Sequence, residues 1–172
     1  MKVAHISVPK SGSNILRNEL GWSGKLRVPD GSPNRQRTIL RQQLASGNGD
    51  VHGHLRYTEE YHELLKDHFI IFQYRDPRDT LVSWYHWFEK LKKDMSWKDI
   101  IHYGSRQMEI MEPWYEHCSL ALRFEHLIER EYPPTHTFRK GKIGVYREEF
   151  PSELWGYYNR RCRSVKYWEY DE

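Results

Sequence analysis

The sequence has no long apolar run. None of its stretches approaches the ~20 consecutive apolar residues that a helix needs to cross a bilayer. Its N-terminal stretch also lacks the roughly 7–15-residue apolar region of a secretory signal. No membrane partner is expected, and a cytoplasmic location is. Cysteine is scarce: Cys118 and Cys162 lie far apart, outside any CxxC pair. A disulfide framework and a zinc signature are therefore both unsupported, and two free thiols in a reducing compartment are expected. Cys118 and Arg123 are also one residue too close for the Cys-x5-Arg spacing of a phosphatase loop. An excess of one charge is missing too, since 27 Lys and Arg against 24 Asp and Glu leave a formal net charge of +3. A dedicated nucleic-acid binder clusters its basic residues more clearly, whereas a small polyanionic ligand is compatible with this balance. No acidic cluster suits magnesium, no GxxxxGK[ST] loop occurs, and there are no repeats or low-complexity tracts.

What is present describes a globular α/β protein. At 172 residues, 38% of them hydrophobic, the chain is expected to form a single domain, 1–172, with a substantial core. The 7 Trp, 12 Tyr and 6 Phe are expected mainly in core and rim packing. Buried strands are predicted at 2–8, 50–55, 68–74 and 119–124, from short β-branched and aromatic runs. Helices are predicted at 13–20 with Ser13 as cap, near 35–45, and at 58–66, 77–92, 96–112 and 149–162. Strands alternating with helices imply a three-layer sandwich around a mainly parallel sheet of about four to five strands. Ligands of such sheets sit at the carboxyl ends of the strands. Lys10, His54 and Arg75 fall at three of those ends.

The segment "VPKSGSNIL" (8–16) joins the first strand to the first helix. Backbone N–H groups at a helix start bind anions; Gly12 allows close approach, Ser11 and Ser13 add hydroxyls, and Lys10 adds a mobile charge. A surface turn with a capping serine is the competing reading. In "YRDPRDTLVSWYHWF" (74–88), Arg75 ends a strand and Ser83 follows on the next helix. The planar fork of arginine suits a phosphate, although "DPRD" also reads as a capping and turn device, with Pro77 in the first turn.

These segments resemble those of sulfotransferases that use 3′-phosphoadenosine 5′-phosphosulfate (PAPS), of the cytosolic type with a P-loop-like fold. "VPKSGSNIL" is similar to that family's YPKSGTTW loop, and "YRDPRDTLVSWYHWF" to its RNPKDxxVSxYH motif. "HGHL" (52–55) sits where the family has KTHLP, "LRFEHL" (122–127) resembles LRYEDL, and "FRKGKIGVYREEF" (138–150) resembles RKGxxGDWKxxF. The resemblance implies that Lys10 stabilises charge on the leaving group while Ser11, Gly12, Ser13 and Asn14 cradle the phosphosulfate. It assigns the 3′-phosphate to Arg75, Ser83, Arg139, Lys140 and Gly141, and the general base to His54. The implied reaction is in-line sulfuryl transfer from PAPS to a hydroxyl or amine of a small-molecule acceptor, leaving adenosine 3′,5′-bisphosphate (PAP), with no metal required.

Several positions depart from the family pattern. Ile15 replaces the tryptophan that stacks on adenine, leaving Tyr146 or Trp22 as candidates for that contact. His52 replaces a lysine; His52 and His54 could be read as a metal pair, but no third ligand is evident. "REEFPSELWG" lacks the Thr-Val pair of the dimerisation segment, and the chain is shorter than typical members. The acceptor pocket is expected from residues 21–50 and 91–118. Two alternatives stay open: a P-loop-like nucleotide kinase using ATP and magnesium, and a nucleotide-binding protein without catalysis.

Overall fold

Strand β1 (Lys2–Ser7) lies inside the sheet, paired in parallel with β2 (Val51–Gly53) on one side and β3 (His68–Tyr74) on the other. Strand β4 (Leu120–Arg123) extends the sheet beyond β3, giving the order β2-β1-β3-β4. The computed structural model describes residues 1–22, 28, 32–45, 49–128, 142–165 and 167, so Arg139, Lys140 and Gly141 lie outside the described residues. Helices α1 (Ser13–Glu19) and α2 (Pro33–Ala45) connect β1 to β2, and α3 (Glu59–Leu65) connects β2 to β3. Helices α4 (Pro77–Lys90), α5 (Trp97–Glu109) and α6 (Trp114–His117) lead to β4. The chain then makes the single turn α7 (Phe124–Leu127), and later α8 (Tyr146–Glu149) and α9 (Trp155–Arg161).

The path runs one way across the sheet from β1 to β2, then reverses to β3 and β4. Right-handed crossovers accordingly place α1 and α2 on one face and α3 to α6 on the other. The result is the three-layer α/β architecture, with four parallel strands among the described residues. No helix of the described residues is long and apolar enough to cross a membrane.

The register separates two faces. Ala4 pairs with Val51 and Ile70, and Ile6 with Gly53 and Phe72, which makes an apolar face. His5 pairs with His52 and Ile71, and Ser7 with Gln73, which makes a polar face; all of these but Ile71 are polar, and all are buried. Trp22, just past α1, packs on His52 with ring centroids 5.7 Å apart. The apolar side closes with Leu81, Trp84 and Phe88 of α4 against Ile100, Ile101 and Met108 of α5. Tyr85 is the outer member of that helix face and stacks on Trp97 at 4.4 Å and 3°.

Three local expectations are revised. Gly12, in the left-handed region at φ 79°, is the N-cap of α1; Ser13 is its first residue and makes no capping bond. The C-terminal helix is broken into α8, a 3-10 turn at Ser152–Leu154 and α9, because Pro151 cannot continue a helix begun before it. Strand β2 is shorter than expected, because Gly53 turns to φ 149° and lets Val28 approach as an added parallel bridge. Val28 N donates to His52 O and His54 N donates to Val28 O, both at 2.9 Å.

Two outcomes follow from this packing. A Cβ at Gly53 would lie 2.2 Å from Val28 O, and backbone cannot yield as a side chain tip can. Gly53→Ala is expected to lower stability by about 1–3 kcal/mol, read from denaturant unfolding. His5 is fully buried, and desolvation pulls its pKa from 6.5 down to about 4. The unfolded chain therefore binds the extra proton between those values, and stability falls as pH drops from 6.5 to 4. The shift corresponds to about 3 kcal/mol at most; unfolding curves across that window should flatten in His5→Gln.

Candidate functional site

All four strands are parallel, so their carboxyl ends share one edge of the sheet. The chain reverses direction between β1 and β3, and the loops leaving those two strands flank the crevice where ligands of such sheets bind. The first loop carries Lys10 to Asn14; the second carries Arg75. His54 follows β2 at the same edge.

The first loop is held by its own backbone and by Gln73. Ser11 N and Ser11 Oγ both donate to Val8 O, at 3.1 and 2.7 Å. Gln73 Nε2 donates to Ser11 O, and Gln73 O accepts from Val8 N at 2.9 Å. Lys10 adopts φ 70°, uncommon for a residue with a Cβ. Its ammonium lies 4.2 Å from the centre of the Trp87 ring on α4. Asn14 Oδ1 accepts from Arg17 Nη1 at 3.4 Å.

Phe124 joins the two loops. A Cβ on Gly12 would fall 2.5 Å from two carbons of its ring, so only glycine fits there. The guanidinium of Arg75 lies 4.4 Å from the centre of the same ring. Arg75 is 8% exposed; Nη2 donates to Lys142 O at 2.9 Å and to Asp79 Oδ2 at 3.4 Å. Burial lowers its pKa, opposed by the carboxylates of Asp79 and Glu125, and arginine nevertheless stays charged. Its Nε is buried with no hydrogen-bond partner among the described residues, a cost of about 1–3 kcal/mol for an orphaned donor.

The start of α4 is fixed from two sides. Asp76 caps it by accepting from Arg78 N at 2.7 Å, and its carboxylate also takes the Arg78 fork. Glu125 Oε1 accepts from Asp76 N at 3.2 Å, its carboxyl pushed up chiefly by burial. Asp79, one turn into α4, accepts from Gly144 N at 2.8 Å and Tyr146 N at 2.9 Å. Ser83 stands at half-buried midpoint of the Asp79, Ser83, Trp87 row. That i, i+4, i+8 spacing lies on one helix face, between the neighbour of Arg75 and the neighbour of Lys10.

His54 is buried and attached to the end of β1. Its Nδ1 donates to Ser7 O at 2.6 Å and lies 3.2 Å from Ser7 Oγ. A carbonyl only accepts, so Nδ1 carries the proton in the neutral ring and Nε2 is the basic nitrogen. Gln36 Nε2 reaches His54 O at 2.8 Å, holding the backbone.

The structure thus gathers Lys10, Ser11, Gly12, Ser13, Asn14, His54, Arg75 and Ser83 at one sheet edge or on the helix facing it. Tyr146 and Trp22, the candidates for adenine contact, are buried, with Arg78 4.0 Å from the Tyr146 ring centre. His86, given no role from the sequence, contacts Glu89 and Glu149. Sequence reasoning missed Gln73, Phe124, Asp79 and Trp87. Phe124 and Asp79 lie inside matched motifs; Gln73 and Trp87 carried no signal beyond strand and helix patterning.

Residues 51–131, from β2 to just past α7, match the model of the sulfotransferase domain. That span includes His54, Arg75, Ser83 and Phe124. No match by sequence was found among curated proteins. Among solved structures, mouse sulfotransferase SULT7A1 complexed with PAP aligns with a TM-score of 0.64 and 16% identity, over 99% of this chain and 86% of that one. That likeness is one of fold, and the same strand edge bears the matched motifs. The chain thus has the α/β fold of a sulfotransferase and resembles the sulfotransferase domain over residues 51–131.

Proposed function

We propose that this protein transfers a sulfuryl group from PAPS to a hydroxyl or amine of a small-molecule acceptor, releasing PAP. The observation that carries the proposal is the Gly12–Phe124–Arg75 contact, which brings the first loop and a buried arginine against one ring at the switch point of the sheet. The residues fit the donor: the orphaned Nε of Arg75 is a charge-bearing donor that a phosphate oxygen would satisfy.

PAPS supplies the activated sulfuryl group. Arg75 holds the 3′-phosphate, with Ser83 one face-row away and Arg139, Lys140 and Gly141 assigned to the same group by the family motif. Ser11, Gly12, Ser13 and Asn14 enclose the 5′ end. Lys10, on a flexible stem, sets its ammonium against the charge that develops on the leaving oxygen, and such a donor is worth about 10²–10³ in rate. His54 Nε2 takes the acceptor's proton, while Ser7 O keeps the Nδ1 proton in place; base catalysis of this kind contributes about 10²–10⁴. Positioning supplies the rest, as in phosphoryl transfer.

Titration with PAP and transfer of labelled sulfate from PAPS to a panel of phenols, alcohols, sugars, amines and tyrosine peptides test the reading. Arg75→Met, which keeps a stem over Phe124 and loses the fork, should weaken PAP binding by about 10- to 100-fold. Lys10→Ala should sharply weaken binding and lower transfer. His54→Ala should bind PAP nearly as wild type while transfer drops by at least about 10². Equal loss of binding in all three variants would refute the base assignment, and phosphoryl transfer dependent on ATP and magnesium would favour a kinase instead.

Lys10 rests on the Trp87 face. Drawing it to an anion removes a cation from that ring, so PAP should change tryptophan emission in wild type. The change should be absent in Trp87→Phe.

A further inference from the structure

We infer that Gln73, with its amide orientation set by His5, is a positioning residue that turns the Gly12 N–H of the anion loop toward the ligand. This rests on the loop being the phosphosulfate site, as proposed above. Gln73 and His5 are 0% and 1% exposed, beside Ile71 in a sheet that could have been apolar there. Burying such groups is unfavourable unless they are hydrogen-bonded, so each bond they make is informative.

His5 Nε2 lies 2.8 Å from Gln73 Oε1. An amide oxygen only accepts, so His5 donates from Nε2. Its Nδ1, buried with no partner among the described residues, is then the bare nitrogen, which leaves no unpaired N–H. Protonating Nδ1 would place a cation in the interior near His54 and Arg17, and burial holds the ring neutral. His5 therefore fixes which end of the Gln73 amide faces the loop: the oxygen faces His5, and the NH₂ faces Ser11.

That NH₂ donates to Ser11 O. In a trans peptide the C=O of one residue and the N–H of the next point in opposite directions, and no cis bond is present among the described residues. Pulling the Ser11 carbonyl toward Gln73 consequently points Gly12 N–H the other way. Gln73 also holds the turn's first residue through its own carbonyl, which accepts from Val8 N. One residue thus sets both ends of the turn 8–11. With the amide reversed, two oxygens would face each other and the peptide would be free to rotate.

The test uses the full chain as wild type, Gln73→Leu, Gln73→Glu, His5→Leu and His5→Gln. The last places an amide N–H the same number of bonds from Cβ as Nε2. Two measurements are made: amide hydrogen exchange of residues 10–15 without ligand, and PAP affinity by calorimetry. Gln73→Leu, Gln73→Glu and His5→Leu should speed loop exchange and weaken PAP binding by about tenfold or more. Exchange in the β3 core, Ile70–Phe72, should change little, and His5→Gln should stay near wild type. Wild-type loop exchange and affinity in Gln73→Leu would overturn the inference. So would an equal loss of protection through β1 and β3, which marks a merely structural role. If wild type binds no PAP, the donor reading fails, and the exchange pattern alone decides the role of Gln73.

Discussion

A single phenyl ring sets the spacing of this site. Phe124 fills the space that a side chain on Gly12 would need, and its face carries the Arg75 guanidinium. Desolvated cation–π contacts of this kind are worth about 2 kcal/mol, yet the geometric effect matters more. The ring comes from the turn after β4, the glycine from the turn after β1, and the arginine from the turn after β3. Three chain segments distant in sequence are thereby held in one arrangement around the ring.

Around that ring the protein accepts a large polar cost in its interior. His5, Ser7, His52 and Gln73 occupy a sheet face where aliphatic residues would pack with no desolvation penalty. Most of the cost is recovered through bonds that run toward the carboxyl edge: His5 to Gln73, Gln73 to Ser11, His54 to Ser7. The apolar face does the opposite work. Its aliphatic strand residues and the α4–α5 contacts supply the burial that stabilises the domain, so the sheet divides its labour between its two sides.

Much of this was legible in the residue pattern. The strands beginning near residues 2, 51, 68 and 120 announce themselves as short β-branched and aromatic runs, and the parallel arrangement follows from the helices between them. The placement of Lys10, His54 and Arg75 at strand ends was likewise readable, because period and length alone put them there. What could not be read depended on partners far away in the chain. Gly53 reads as one more residue of the 50–55 strand until Val28 is seen crossing it. Gln73 looks like one polar residue in a buried strand until the register sets it between His5 and Ser11. Ser13 looked like a cap because local propensity favours serine there, but the left-handed turn at Gly12 decided the cap instead. Pro151, visible in the sequence, divides the last helical stretch.

Asp79 shows how tightly the remote and local parts of this region are bound. One carboxylate accepts from the backbone of Gly144 and Tyr146 and also meets Arg75. The arginine in turn donates to Lys142 O in that same segment. The pair therefore forms a closed loop of dependence: substituting either residue disturbs the other's contacts with residues 142–146. Energies measured for the two single substitutions will not sum, and only a double-mutant cycle can apportion them.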